Sequence, residues 1–248
     1  MRLSRLWPAL AILILLSARP AGAGTINGGA GFDYQTGPRA QSYRSALVFA
    51  STEVAAGDLT LAAIRYGDSS VGPGIGAFAN AGIAVSPHVR VRGIGLRAIG
   101  DGTYRATRWR LGPEFHLASS VTVGTYYLRL TDNAGGAFDS GGIEVGGPIG
   151  PTVTGQIGTS YGRWNSDATT AQGALSGTWH PVSRVLFLGE LDVGRNLATT
   201  ATAGPSGGGA LGRLPLPGLG RGHAGSGQTQ SSSDVTAAGQ IGVRFLLK

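Results

Sequence analysis

The sequence predicts an all-β protein, an antiparallel up-and-down transmembrane β-barrel of about twelve strands. Three observations predict it. Residues 170–195, TAQGALSGTWHPVSRVLFLGELDVGR, form two alternating runs about a tight turn. Leu175 and Trp179, then Val185, Phe187, Leu191 and Val193, share a face opposite Gln172, Ser176, Thr178, Glu190 and Asp192. Side chains of a strand alternate between faces, so this is a hairpin with one apolar and one polar side. Second, nothing beyond the N-terminus approaches the roughly 20 apolar residues of a membrane helix, and 44 glycines discourage long helices. Third, short and long connections alternate along the chain, as they do when strands run up and down through a bilayer.

Residues 25–35 set Ile26, Ala30, Phe32 and Tyr34 against Asn27, Gly29, Gly31 and Asp33. After Thr36-Gly37-Pro38, residues 42–51 return with Tyr43, Leu47 and Phe49 on one side and Arg44 assigned to the other. Residues 58–68 form a third strand whose face the pattern does not assign. Residues 75–85 place Ile75, Ile83 and Val85 opposite Phe78 and Asn80. In residues 89–98 the apolar phase changes between Val91 and Ile94, which predicts a β-bulge near Gly93. Residues 104–117 are the most polarised: Trp109, Leu111, Phe115 and Leu117 for lipid, Arg108, Arg110, Glu114 and His116 for the interior. Residues 121–131, 137–145 and 153–164 follow, then the hairpin, and residues 235–247 close the pattern with Val235, Ile241, Val243 and Phe245 opposite Thr236, Gln240 and Arg244.

The connections at 53–57, 86–88, 118–120, 146–151 and 181–183 are short, and by the convention of such barrels they face the periplasm. The longest of the others, residues 197–233, is rich in Gly, Ser and Pro and reads as a flexible extracellular loop. Residues 1–23 carry Arg2 and Arg5, an apolar run from Ala9 to Leu16 and a small-residue site Ala21-Gly22-Ala23. That is the pattern of a secretory signal peptide, with residues 24–248 as the barrel domain.

The formal net charge is +7. Removing the three arginines of the signal leaves 17 basic against 13 acidic residues, or +4. The basic residues are scattered singly, so no nucleic-acid partner is implied. Cysteine is absent, which excludes disulfides, thiolate metal sites and a lipidated N-terminal cysteine.

The candidate site is the lumen. Its expected charged lining is Asp33, Arg44, Arg90, Arg92, Arg108, Arg110, Glu114, Arg129, Glu190, Asp192 and Arg244. These groups either pair across a narrow barrel and fill it, the preferred reading, or line water, where seven arginines against four acids favour anions. His88, His116, His180 and His223 share no strand and no ligand spacing, so neither a metal site nor a cofactor is expected. The outer-membrane phospholipases are barrels of similar size with a Ser, His and Asn on the lipid-facing wall. Their His-x-Ser pattern is absent here, and His116 with Ser119 or His180 with Ser183 would sit at the opposite rim. No enzyme is expected.

The signal, the periodicity, the turn asymmetry and the last strand GQIGVRFLLK resemble bacterial outer-membrane β-barrel proteins. Such proteins commonly present a terminal Phe or Trp to the barrel-assembly machinery; here Phe245 is followed by Leu246, Leu247 and Lys248. The aromatics Tyr104, Trp109, Phe115, Tyr126, Tyr127, Tyr161, Trp164, Trp179 and Phe245 gather toward strand ends, as in an interfacial girdle. The strand number and the C-terminal half are also similar to the YaiO family of such barrels. The resemblance implies outer-membrane lipid and the assembly machinery as partners. The expected function is structural or accessory to envelope transport; the alternatives are a narrow channel for small anionic solutes and a lipid-modifying enzyme. A soluble β-sandwich, burying the same alternating faces in a core, is the alternative fold.

Overall fold

Twelve antiparallel strands close into a barrel in the computed structural model. It describes residues 26–36, 42–54, 56–68, 72–100, 104–117, 120–133, 136–165, 169–196 and 235–247. The strands are β1 (Ile26–Thr36), β2 (Ser42–Val54), β3 (Gly57–Asp68), β4 (Gly72–Ser86), β5 (Val89–Ile99) and β6 (Arg105–Leu117). The second half comprises β7 (Val121–Asp132), β8 (Ala137–Pro148), β9 (Val153–Trp164), β10 (Thr169–Val182), β11 (Val185–Asn196) and β12 (Val235–Leu247). The expected signal, residues 1–23, and the long loop, residues 197–233, lie outside the described residues.

Each strand pairs with its neighbours in sequence, and β1 pairs with β12 from Gly28↔Leu247 to Thr36↔Gly239. The ring therefore has no free edge, and its ladders satisfy the backbone without water, the condition for spanning lipid. No described helix is long and apolar enough to cross a membrane. Closure also removes the β-sandwich alternative, which needs two facing sheets.

The even strand number puts Ile26 and Leu247 at the end where the short turns lie. Two register shifts, at Ala84/Ser86 and at Trp179/Val182, occur beside those turns. The bulge expected near Gly93 is not present. The β5–β6 ladder runs unbroken from Val89↔Phe115 to Ile99↔Arg105, so Ile94, Leu96 and Ala98 share the inward phase of Arg90 and Arg92. The apolar phase change marks a change in what fills the barrel, not a break in the strand.

A second correction concerns β2. Leu47 is buried inside and Phe49 packs beside it, while Arg44, expected inside, is on the outer face. Arg44 pairs with outward Tyr34, its guanidinium carbon 5.8 Å from the ring centroid. Likewise Arg129 faces outward on β7, directly opposite Asp139 of β8. In both cases the interior accepts apolar side chains that the alternation rule had given to lipid.

Candidate functional site

The lumen has two kinds of wall. On β2 to β8, toward the long-loop end, inward side chains form an apolar cluster including Leu47, Ile64, Phe78, Leu96, Leu128 and Phe138. Phe49, Tyr104 and Tyr126 pack against it. Two of these tyrosines, Tyr104 and Tyr126, were expected in the interfacial girdle, and the structure moves them inside. Burying each large apolar side chain is worth about 1.5–3 kcal/mol, so this wall is a core in its own right.

Glycine makes the room. Phe49 faces Gly29, Tyr66 faces Gly74 and Tyr126 faces Gly142 as directly opposed ladder pairs. A Cβ on these glycines would come within 2.6 Å, 2.3 Å and 2.4 Å of the respective rings. The aromatic rings thus occupy the space over bare backbone that a side chain would take, a packing that one added methyl group would disrupt.

Below this cluster, toward the short turns, charged groups pair between neighbouring strands or across an intervening one. Arg90 Nη1 lies 2.5 Å from Asp58 Oδ2, and Arg92 Nη1 lies 3.0 Å from Asp58 Oδ1. Arg92 also donates to Glu114 through Nε at 2.6 Å and to Asn80 at 2.9 Å. Asp58 on β3 reaches β5 over Gly82 of β4, where a Cβ would sit 2.8 Å from its carboxylate. Arg110 pairs with Glu144 across β7 and lies 3.8 Å above the Tyr126 ring. Arg244 Nη1 holds Asp33 Oδ1 at 2.7 Å, and Asp33 also accepts from Ser45 at 3.0 Å. Such charge-assisted pairs satisfy groups that would be costly to bury singly.

The structure places Asp33, Arg90, Arg92, Arg108, Arg110, Glu114, Glu190, Asp192 and Arg244 on the inner face, and Arg44 and Arg129 on the outer. Two acids that the sequence reading missed, Asp58 and Glu144, join the interior. Among the described residues this leaves five inward arginines against at least six carboxylates. The expected arginine excess is therefore absent, and with it the basis for preferring anions. The missed acids carried a signal only in register: Asp58 lies on the unassigned strand and Glu144 amid glycines.

The wall formed by β9 to β12 differs. It presents Thr154, Gln156, Ser176, Thr178, Leu188, Glu190 and Gln240 to a cavity of about 260 Å³, with Glu114, Glu144 and Arg244 opposite or beside them. Thr154 and Thr178 share a hydrogen bond of 2.6 Å. Gln35 and Gln240 are directly opposed across the β1–β12 seam. Among the described residues neither the Gln35 side-chain amide nor the Gln240 carbonyl oxygen has a protein partner, although both residues are buried. His116, 3.4 Å from Thr122, is an inward neighbour of this region, whereas His88 lies at an exposed turn. No cluster of three metal-ligating residues occurs among the described residues.

On the outside, Trp179 and Phe187 stack at 5.4 Å near the short turns, with Phe115 and Phe245 also outward. Near the loops Trp109 and Tyr127 meet at 5.2 Å, with Tyr34 and Tyr161 also exposed. Two aromatic bands flanking an apolar surface are what a bilayer-spanning barrel requires.

No family model matches the sequence, and no curated protein matches it. Solved structures do. The NanC porin aligns with a TM-score of 0.53 at 13% identity, covering 88% of this chain and 98% of that one. The KdgM porin in complex with disordered oligogalacturonate gives 0.51 at 13% identity, covering 87% and 98%. The translocator domain of the autotransporter NalP from Neisseria meningitidis gives 0.51 at 10% identity, covering 95% and 92%. At these identities the likeness is one of fold: this chain has the closed barrel of bacterial outer-membrane proteins.

Proposed function

We propose that the protein is a narrow outer-membrane channel for small, polar, hydroxyl-bearing solutes. The observation that carries this reading is the cavity of about 260 Å³ inside the barrel, lined by Thr, Ser and Gln on β9 to β12. A solute with hydroxyl groups can pair with the Thr154, Gln156, Ser176 and Thr178 side chains that line the cavity. The KdgM porin, described in complex with disordered oligogalacturonate, is in keeping with this. With paired charges and slightly more carboxylates than arginines, the pore should discriminate little between ions and lean toward cations.

The test is conductance of the refolded mature chain in planar bilayers. Small, resolved steps with a weak cation preference are expected. Replacing Leu128 and Phe138 by alanine should enlarge the steps, because these side chains fill the apolar half of the lumen. A folded barrel that passes no current would overturn the channel reading.

That outcome would favour the second reading, a non-conducting structural or transport-accessory barrel. Its specific support is the apolar cluster, whose side chains are buried in the lumen on β2 to β8 toward the loop end. Both readings take the protein to the outer membrane, with its lipid and the barrel-assembly machinery as partners and without catalytic chemistry. The narrower likeness to the YaiO family belongs with them as a proposal.

A further inference from the structure

The arginines that leave the lumen gather elsewhere. Arg44, Arg65, Arg97, Arg105, Arg129 and Arg163 all lie on the outer face and are exposed, each within four residues of the long-loop end of its strand. Asp139 is the only outward carboxylate among the described strand residues, and no described strand bears an outward arginine in its short-turn half. Among the described residues the positive excess is therefore on the outer wall, at one end.

Register groups these residues. Arg65 faces Ala46 and Arg44 faces Gly67, which makes the two arginines diagonal neighbours. Arg97 faces Thr107 while Arg105 faces Ile99, a second diagonal pair. Such diagonals separate side chains by about 7–8 Å at the backbone, close enough for two guanidinium groups to share one anionic group or hold two adjacent ones. Then Trp109, Arg129, Asp139 and Arg163 stand directly opposite one another across β6 to β9. Arg129 lies 3.5 Å from Asp139, and the Tyr127 hydroxyl also donates to that carboxylate.

Depth along the wall identifies the partner. Arg44 lies over Tyr34, and Arg129 lies beside Trp109 and Tyr127, so the arginines sit at and just beyond the loop-end aromatic band. That is the headgroup level of a bilayer. The strands of the opposite aromatic band, with Trp179, Phe187 and Phe115, carry no outward arginine among the described residues; Arg184 there lies in a turn. A merely solubilising rim would be expected at both ends; a belt at one end matches a membrane whose two leaflets differ in charge. Guanidinium groups bind phosphate oxygens with paired N–H donors.

We infer that the outward arginine belt binds the phosphate groups of multiply phosphorylated lipid headgroups in the leaflet on the long-loop side. This rests on the outer-membrane reading of the barrel, but not on whether the lumen conducts. The test uses the full barrel in neutral detergent, titrated with bis-phosphorylated lipid A, with its dephosphorylated form and with phosphatidylcholine, following both lipid retention and the thermal midpoint. Retention and stabilisation by the phosphorylated form alone are expected. The combined variant Arg97→Gln/Arg105→Gln/Arg129→Gln should bind about tenfold more weakly, the summed loss of three exposed charge contacts. Arg184→Gln, in the turn at the other end, should bind as the parent does, and lysines in place of the three arginines should restore part of the affinity. Equal binding by the glutamine variant, or equal binding of the dephosphorylated lipid, would overturn the belt. If the outer-membrane reading itself fails, the parent chain will show no folded, heat-modifiable band in detergent, a result distinct from a folded barrel that ignores phosphate.

Discussion

Arg110 and Glu144 show what a lumen charge contributes. Both are buried, and each is compensated by the other, so Arg110→Met should destabilise the barrel by about 3–5 kcal/mol by leaving a buried carboxylate unpaired. Adding Glu144→Gln should restore much of that loss, as read from urea unfolding in detergent. Gly142→Ala should cost about 1–3 kcal/mol in the same assay, because its new methyl group meets the Tyr126 ring. At this scale the sequence was only partly legible. Nine of the eleven expected charges are inward because their strands alternate cleanly. Arg44 and Arg129 were misassigned because charge was equated with lumen, whereas an outward arginine near a strand end reaches the headgroups at little cost.

Strands were more legible than faces. Periodicity placed all twelve, since a run of about ten alternating residues bounded by Gly, Pro or Asn is a strong signal of a tilted span. It failed where the interior is apolar. On β5 the residues Gly93 to Ala98 alternate Gly and Arg with Ile, Leu and Ala, and only the partners of β5 decide which set is inside. The cysteine-free chain permits a direct check. A fluorescent label on a single cysteine at Gly95 should be quenched by brominated lipid, and the same label at Leu96 should be protected. Reversed quenching would restore the bulge at Gly93.

The whole molecule depends on the seam between β1 and β12. Deleting residues 235–248 should abolish the fast-migrating unboiled band on gels, because β1 and β11 would both become open edges in lipid. The closed architecture was legible from strand parity and turn lengths, but the sequence could not reveal that one side of the interior is filled by an apolar cluster while the other borders a polar hollow toward the short turns. That one-sidedness has a mechanical consequence. Strands β2 to β8 are braced from within by packed rings and ion pairs, while β9 to β12 border a hollow over their short-turn halves, so the shell is stiffer over one arc than over the other. Amide hydrogen exchange should be slower in the braced arc, and lateral pressure from the bilayer should flatten the cylinder at the hollow arc first. The width of the passage would then be set by the elasticity of the surrounding lipid as well as by the side chains that line it.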